Sequence, residues 1–263
     1  MVGGLYLMQG GLIFPRNVAG LPSYPLPAHA ERLELATPEG PRITGNLVRA
    51  SGSSRGLLLG FGGNAWNGDD LTVFLSQRLQ DVDIAVFHYR GYGPSEGEPS
   101  EAALYADALL VHDHLVRELA PERVLAVGFS LGTAVAAHLG AQRPLAGLIL
   151  VTPFDSVEAI ARASYFWVPV GALLKHRFRT DEHLRDRDLP VAVILASDDT
   201  VVPLERSRAL IDLLRRPVSV ETVPGSTHNG IYDLPAIDGA LRRALDALLA
   251  SEPVPANGYI PGG

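Results

Sequence analysis

Short apolar runs alternate with amphipathic helical patterns over most of this 263-residue chain, and this alternation restricts the fold more than any other feature. The apolar runs predict eight strands, at residues 32–36, 43–49, 56–61, 83–88, 123–128, 145–151, 190–197 and 218–223. Apolar residues spaced three and four apart predict helices at 69–80, 101–119, 131–142, 204–215 and 234–250. Two opening strands followed by strand–helix units predict an eight-stranded, mainly parallel, doubly wound α/β sheet with an antiparallel start.

Length and composition fit one α/β domain with irregular segments at both ends. Hydrophobic residues make up 47% of the chain and charged residues 19%, which is enough apolar surface for a packed core. We expect an N-terminal arm over residues 1–30, the α/β domain over 31–250 and a C-terminal tail over 251–263. The one long interval between predicted strands, about 153–188, is where a small lid insertion is expected.

A Gly-x-Ser-x-Gly pentapeptide stands where a predicted strand passes into a predicted helix, at Gly128-Phe-Ser-Leu-Gly132. Such a context is typical of a nucleophile elbow, a sharp turn that exposes the serine hydroxyl and leaves no room for side chains at the two glycines. The start of the following helix supplies free amides and positive dipole beside the serine. Ser130 is therefore the predicted nucleophile.

Two later loops supply the partners that a serine nucleophile needs. A serine hydroxyl requires a general base, and the base requires a group that fixes its tautomer. His228 lies in a small-residue loop after the last predicted strand, and Asp198 and Asp199 follow the strand before it. Asp155 is a further candidate for the acid because it also follows a strand, although its place before a helical run favours an N-cap.

The remaining histidines form no recognisable site pattern. His112 and His114 are two residues apart on a predicted helix and cannot share a face, so we interpret them as surface residues. His88 closes a strand and is a candidate to line the cleft. The chain has no cysteine and no zinc-binding constellation, so we predict neither a metal nor a cofactor.

Taken together, these motifs make the chain resemble the α/β-hydrolase superfamily over about residues 5–250, and more narrowly its membrane-anchored serine-hydrolase branch, which includes protein depalmitoylases and lysophospholipase-like enzymes. The resemblance implies that Ser130, Asp199 and His228 form a catalytic triad, with Asp199 preferred to Asp198 because it opens the family's Asp-x-x-Val-Pro pattern. The segments that carry the resemblance are Gly60-Phe-Gly-Gly-Asn64-Ala, Tyr89-Arg-Gly-Tyr-Gly-Pro-Ser-Glu-Gly, Gly128-Phe-Ser-Leu-Gly132, Thr152-Pro-Phe-Asp-Ser156, Asp199-Thr-Val-Val-Pro203 and Gly225-Ser-Thr-His228.

The same resemblance implies an oxyanion hole made by the backbone N–H groups of Leu131, which follows the nucleophile, and of Asn64, in the loop after the third strand. Two positions depart from the branch. Gly62 stands where the branch has a histidine before Gly-Asn, and His88 stands where it has an aspartate before Tyr-Arg-Gly. Neither departure removes a backbone N–H. Substrate contacts are expected from Gly63 and from an aromatic run in the lid interval, Tyr165, Phe166 and Trp167.

A serine nucleophile with these partners predicts hydrolysis of carboxylic esters or thioesters through an acyl-enzyme. Two alternatives remain: an amide hydrolase similar to serine aminopeptidases, and a non-catalytic ligand-binding protein on the same fold. The expected partner is a small-molecule acyl ester or thioester. A formal charge of −7 argues against nucleic acid, which requires clustered Lys and Arg.

The uncharged run from Val2 to Pro15 is too short to span a bilayer and lacks the basic start of a signal peptide. Part of it, from Tyr6 to Phe14, resembles the segment that follows the membrane anchor in the branch. We therefore expect at most weak membrane proximity through the arm. The compartment stays open, with the cytoplasm favoured over association with a membrane.

Overall fold

An eight-stranded sheet forms the centre of the molecule in the computed structural model, which describes residues 9–164, 167 and 169–252. The strands, numbered along the chain, are β1 Glu31–Ala36, β2 Arg42–Val48, β3 Leu57–Phe61, β4 Asp83–Phe87, β5 Val124–Phe129, β6 Gly147–Val151, β7 Val191–Ala196 and β8 Pro217–Val223. Their order in the sheet is β1-β2-β4-β3-β5-β6-β7-β8. β2 pairs antiparallel with β1 and β4, and the other neighbouring pairs are parallel, which confirms the predicted sheet.

Helices cover both faces of this sheet. The helices Gly68–Arg78 and Ala236–Ala250 pack on one face, and the helices Glu101–Leu119 and Leu131–Gln142 pack on the other. Such cover on both sides explains why β5, β6 and β7 are buried along their whole length. The helix bounds are α1 Arg16–Ala19, α2 Gly68–Arg78, α3 Glu101–Leu119, α4 Leu131–Gln142, α5 Val157–Ser164, α6 Val170–Leu173, α7 Thr180–Leu184, α8 Leu204–Ile211 and α9 Ala236–Ala250, with a 3₁₀ helix at Gly230–Asp233 and a helical turn at residues 9–13.

Successive residues of the central strands feed two separate cores. On β5, Ala126 packs with Val135 of α4, whereas its neighbour Val127 belongs to the core that contains Leu241 of α9. Side chains on a strand alternate between faces, so an unbroken apolar run is what a strand covered on both sides requires. Each fully buried aliphatic side chain of this kind contributes about 1.5–3 kcal/mol.

The parallel register brings the carboxyl ends of the strands to one edge of the sheet. Phe61, at the end of β3, pairs with Gly128 of β5, and Ala196, at the end of β7, pairs with Val223 of β8. Loops that leave these strands therefore start close together. This edge is where open α/β sheets bind ligands.

Predicted and observed helices agree best where the helix is long. α3 and α4 have the predicted bounds, but the prediction of a helix to residue 215 was wrong, because α8 ends at Ile211. Beyond that point the N–H of Leu213 bonds to Leu210 O at 3.2 Å and that of Leu214 to Ile211 O at 3.0 Å, which winds the chain into turns. A helical run after Asp155 was expected and corresponds to α5, whereas the short helices α6 and α7 were not predicted, since so few residues show little apolar periodicity.

The described part of the N-terminal arm contacts the predicted lid interval. Gln9 Nε2 donates to Leu173 O at 3.1 Å, and the buried ring of Phe14 lies edge-on to the rings of His176 and Phe178. The boundaries of arm, domain, lid and tail stay predictions, and the tail from residue 253 lies outside the described residues. No helix among the described residues has both the length and the apolar character needed to cross a bilayer.

Candidate active site

Ser130 occupies a sharp turn between β5 and α4. Its φ of 49° and ψ of −115° lie in a region that residues with side chains rarely adopt. A Cβ on Gly128 would overlap the Gly132 carbonyl oxygen, and a Cβ on Gly132 would overlap the Phe61 carbonyl oxygen. Both glycines are therefore required by the close approach of backbone to backbone, and Ser130 lines the cleft above them.

Three side chains from three loops form a continuous hydrogen-bonded series. Ser130 Oγ lies 2.9 Å from His228 Nε2, and His228 Nδ1 lies 2.7 Å from Asp199 Oδ2. A carboxylate can only accept a hydrogen bond, so in the neutral ring the proton is assigned to Nδ1. Nε2 then accepts from the serine hydroxyl. The side chains of His228 and Asp199 are 7% and 3% exposed, so little water competes for these bonds.

The carboxylate of Asp199 is oriented by its own loop. Its Oδ1 accepts from the N–H groups of Val201 at 3.0 Å and Val202 at 2.7 Å, which leaves Oδ2 directed at His228. Asp198 is exposed and accepts instead from Ser197 Oγ at 2.8 Å. The structure thus brings Asp199, not Asp198, to the histidine.

Two serines link the loop of the acid to the loop of the histidine. Ser226 Oγ accepts from Ser197 N at 3.2 Å and donates to Val223 O at 2.6 Å, while Ser197 Oγ accepts from Ser226 N at 3.3 Å. These bonds couple the positions of Asp199 and His228. Sequence reasoning missed both serines; the available signal was a hydroxyl residue two positions before each of the two site residues.

Two backbone N–H groups are available beside Ser130. Leu131 and Asn64 both line the cleft, and within the described part of the chain neither backbone N–H donates to a protein acceptor. A Cβ on Gly63 would lie 3.7 Å from Ser130 Cβ, so the loop after β3 rests against the serine. Unpaired amides on two loops that line the same cleft as the nucleophile can stabilise negative charge on a reacting oxygen.

A cleft of about 920 Å³ opens over these groups. Its aromatic wall is formed by Trp66, Phe74 and Tyr232, with the rings of Trp66 and Tyr232 4.7 Å apart and those of Trp66 and Phe74 5.2 Å apart. Burial raises the pKa of Tyr232 to about 12, so its hydroxyl stays neutral. Val157 and Ile160 of α5 also line the cleft, which places part of the lid interval over Ser130.

Of the substrate contacts expected from the sequence, Gly63 lines this cleft. Trp167 is 55% exposed and is not among the lining residues, while Tyr165 and Phe166 lie outside the described residues. The roles of these three aromatic residues stay predictions. Trp66 was missed, although its place two residues after Asn64 in the loop was visible in the sequence.

Two histidines lie elsewhere than expected. His88 does not line the cleft but is buried, with Nε2 2.9 Å from Asp69 Oδ1. His112 is buried rather than on the surface; burial lowers its pKa even though Nδ1 lies 2.9 Å from Asp113 Oδ1. Across residues 9–164, 167 and 169–252, no group of three His, Asp or Glu side chains is arranged to hold a metal ion.

Asp155 takes neither of the two roles considered for it. Its Oδ2 accepts from Arg206 Nη1 at 3.0 Å, which keeps it apart from His228. The N-cap prediction was wrong, because Ser156 Oγ accepts from Ala159 N at 3.0 Å and so caps α5.

The chain is similar in sequence and in fold to known hydrolases. A model described as "Alpha/beta hydrolase family" matches residues 52–187. An uncharacterized protein of Mycobacterium tuberculosis is 34% identical over 252 residues, which cover 93% of this chain and 87% of that protein. The lysophosphatidylserine lipase ABHD12 of Danio rerio is 31% identical over 226 residues, covering 74% of this chain and 59% of that protein. A solved alpha-beta hydrolase from Vibrio vulnificus matches with a TM-score of 0.67 at 19% identity, covering 84% of this chain and 81% of that one.

Proposed function

We propose that this chain, which belongs to the alpha/beta hydrolase family, is a serine hydrolase that cleaves carboxylic esters or thioesters through an acyl-enzyme on Ser130. The observation that carries the proposal is the hydrogen-bonded series from Ser130 Oγ through His228 to Asp199, at 2.9 and 2.7 Å. A hydroxyl, a base and an orienting carboxylate at these distances are what nucleophilic acyl transfer requires.

The proposed reaction has two stages, acylation of Ser130 and hydrolysis of the acyl-enzyme. Ser130 Oγ attacks the substrate carbonyl carbon while His228 Nε2 takes its proton, and the N–H groups of Leu131 and Asn64 donate to the oxyanion. The tetrahedral intermediate then breaks its C–O or C–S bond, and the imidazolium gives the proton to the departing alcohol or thiol. Water attacks the acyl-enzyme with His228 as base, and Ser130 Oγ departs with the proton as the carboxylic acid is released.

The residues that line the cleft suit an apolar acyl group. Trp66 and Tyr232 offer ring faces, and Val157 and Ile160 offer aliphatic surface. Each buried methylene of a substrate can add up to about 0.8 kcal/mol of binding. The zebrafish relative is named as a lysophosphatidylserine lipase, which makes lipid acyl esters the first substrates to test.

Covalent labelling with a fluorophosphonate probe tests the proposal, because only an activated serine reacts with it. The wild-type protein should be labelled and Ser130→Ala should not. Ser51→Ala is the matched control, since Ser51 is exposed and follows β2 at the opposite edge of the sheet. A wild-type protein that stays unlabelled, or a Ser130→Ala protein that is still labelled, would overturn the proposal.

A substrate panel separates the proposed activity from the two alternatives. The proposal expects turnover of p-nitrophenyl esters or acyl thioesters to exceed turnover of aminoacyl amides with equally good leaving groups. Turnover of the amides alone would identify a peptidase. Tight binding of esters with neither turnover nor probe labelling would identify a non-catalytic ligand-binding protein.

A further inference from the structure

The loop after β3 carries the Asn64 N–H of the proposed oxyanion hole, but its own sequence does little to hold that group in place. Gly62 and Gly63 precede Asn64, and glycine restricts the rotation of adjoining peptide planes least of all residues. The direction of the Asn64 N–H must therefore be set by partners outside the loop's own side chains.

Two tyrosine hydroxyls are those partners. Tyr89 Oη donates to the Gly62 carbonyl oxygen at 2.7 Å, and Tyr92 Oη donates to the Asn64 carbonyl oxygen at 2.7 Å. These carbonyls belong to the peptide planes immediately before and after the plane that holds the Asn64 N–H. A rotation of that central plane would have to break or bend at least one of the two tyrosine bonds.

The central plane has a bond of its own. The Gly63 carbonyl oxygen accepts from Trp66 N at 3.2 Å. A trans peptide holds its C=O and the following N–H on opposite sides, so this bond turns the Asn64 N–H away from Trp66 N. Three consecutive planes of the loop are thus each fixed by one hydrogen bond, two of which come from tyrosines.

Both tyrosines lie in the loop after β4, and this loop is held by its own hydrogen bonds and by a buried ion pair. Tyr92 N donates to Tyr89 O at 2.8 Å, and the two rings lie 5.9 Å apart at 81°. Arg90, between them, forms a buried ion pair with Asp107 of α3. Burial raises the pKa of both tyrosines, so both hydroxyls remain protonated donors. Neither tyrosine lines the cleft.

We infer that Tyr89 and Tyr92 are positioning residues of the oxyanion hole, whose hydroxyls act through the backbone of residues 62–65 to hold the Asn64 N–H toward the substrate oxygen. The inference rests on the proposed function. Because the tyrosines lie outside the cleft, they act only through that N–H, whose hydrogen bond strengthens as the oxyanion forms. Their removal should therefore reduce kcat and leave KM nearly unchanged.

Single-atom deletions test this directly. Tyr89→Phe and Tyr92→Phe should each lower kcat by about 10-fold, and the double variant by roughly 100- to 1000-fold, the range seen when one oxyanion donor is lost. Their KM values should stay near that of the wild type. Tyr105→Phe is the matched control, because Tyr105 is a buried tyrosine on α3 that lies outside the cleft, and it should turn over at the wild-type rate.

A transition-state readout separates positioning from a purely structural role. A trifluoromethyl ketone, which forms a tetrahedral oxyanion on the serine, should lose affinity for each variant by the same factor as kcat/KM. Unchanged kcat with only a lower melting temperature, or a raised KM at constant kcat, would overturn the inference. If Tyr92→Phe does not fold, Tyr89→Phe carries the same test. Failure of the proposed function itself would appear differently, as a wild-type protein without turnover or probe labelling.

Discussion

Two loops at the carboxyl edge of the sheet present the amides of the proposed oxyanion hole, and they are held in different ways. The turn at Ser130 is held mainly by close contacts of backbone with backbone: Gly128 and Gly132 allow close approach, and Ser130 N donates to Val151 O at 2.9 Å, while the neighbouring Thr133 Oγ1 donates to Ser130 O at 2.6 Å. The loop after β3 is held by tyrosine hydroxyls that lie 27 and 28 residues further along the chain. One donor thus belongs to a turn that a contiguous motif makes possible, while the other depends on side chains of a distant loop.

The comparison of the two loops has no meaning if Ser130 is not the nucleophile. Removing the Ser130 hydroxyl is therefore the test with the largest expected effect. Ser130→Ala and His228→Ala should each lower kcat by roughly 10⁶-fold, because the members of such a series act as a unit. Both variants should keep the wild-type circular dichroism spectrum. Near-normal turnover by purified, folded Ser130→Ala would remove the basis for comparing the two loops.

The next test uses two adjacent carboxylates in one loop. Asp199→Asn should lower kcat by about 10⁴-fold, because an amide cannot hold the histidine in the required tautomer. Asp198→Asn is the matched control, since that side chain is exposed and contacts Ser197 rather than His228. Equal losses in the two variants, or the larger loss at Asp198, would show that the acid has been misassigned.

A pair of glycine variants sharpens the difference between the loops. Gly132→Ala would force a Cβ onto the backbone oxygens of Phe61 and Gly62, which cannot move aside, and should cost about 1–3 kcal/mol of unfolding free energy or more. Gly63→Ala would meet only ordinary contacts at 3.7 Å and should unfold near the wild-type temperature. Denaturant titration of both variants measures this. Equal destabilisation would mean that the turn at Ser130 is not specially constrained by backbone contacts.

These two loops also show why sequence predicted one part of the site and not another. The strand, the two glycines and the helix around Ser130 are contiguous, so local pattern is enough to predict the turn. The eight-stranded, mainly parallel sheet with its antiparallel start and the family, the alpha/beta hydrolases, were likewise predicted correctly, the sheet from apolar periodicity and the family from sequence motifs.

What sequence did not predict depends on contacts between distant residues. The hydroxyl bonds of Tyr89 and Tyr92, the paired serines Ser197 and Ser226, and the place of Trp66 in the cleft wall all require the loops to be assembled first. The short helices α6 and α7 of the lid interval were missed for another reason. Their few residues are ordered by neighbours rather than by their own apolar pattern.

The smallest expected effect is a loss of stability in acid, caused by two histidines on the face of the sheet that α3 and α4 cover. It provides a control for activity measurements at low pH. His138 stacks on Tyr105 with centroids 4.1 Å apart, His183 packs edge-on to both rings, and burial lowers the pKa of both histidines to about 4. The unfolded chain binds these protons near pH 6.5. Between that value and about 4 the unfolded state holds more protons, so the unfolding free energy should fall as pH falls.

Denaturant titrations at pH 7 and pH 5 measure this loss. Replacing both histidines, in His138→Gln/His183→Gln, should reduce the slope of unfolding free energy against pH over this range, and the slope that remains includes that of the buried His112. A wild-type slope that persists in the double variant would assign the acid sensitivity to other groups. The comparison also shows how much of any activity loss in acid comes from unfolding rather than from chemistry at Ser130.

The most direct test of the central claim is the mass of the protein during turnover of a p-nitrophenyl ester. Rapid mixing followed by acid quench should reveal an added mass of one acyl group, mapped by peptide digestion to Ser130, together with a burst of p-nitrophenol equal to the protein present. Ser130→Ala should show neither the adduct nor the burst. Steady turnover by a protein whose only acylated residue is not Ser130, or by Ser130→Ala itself, would contradict the account.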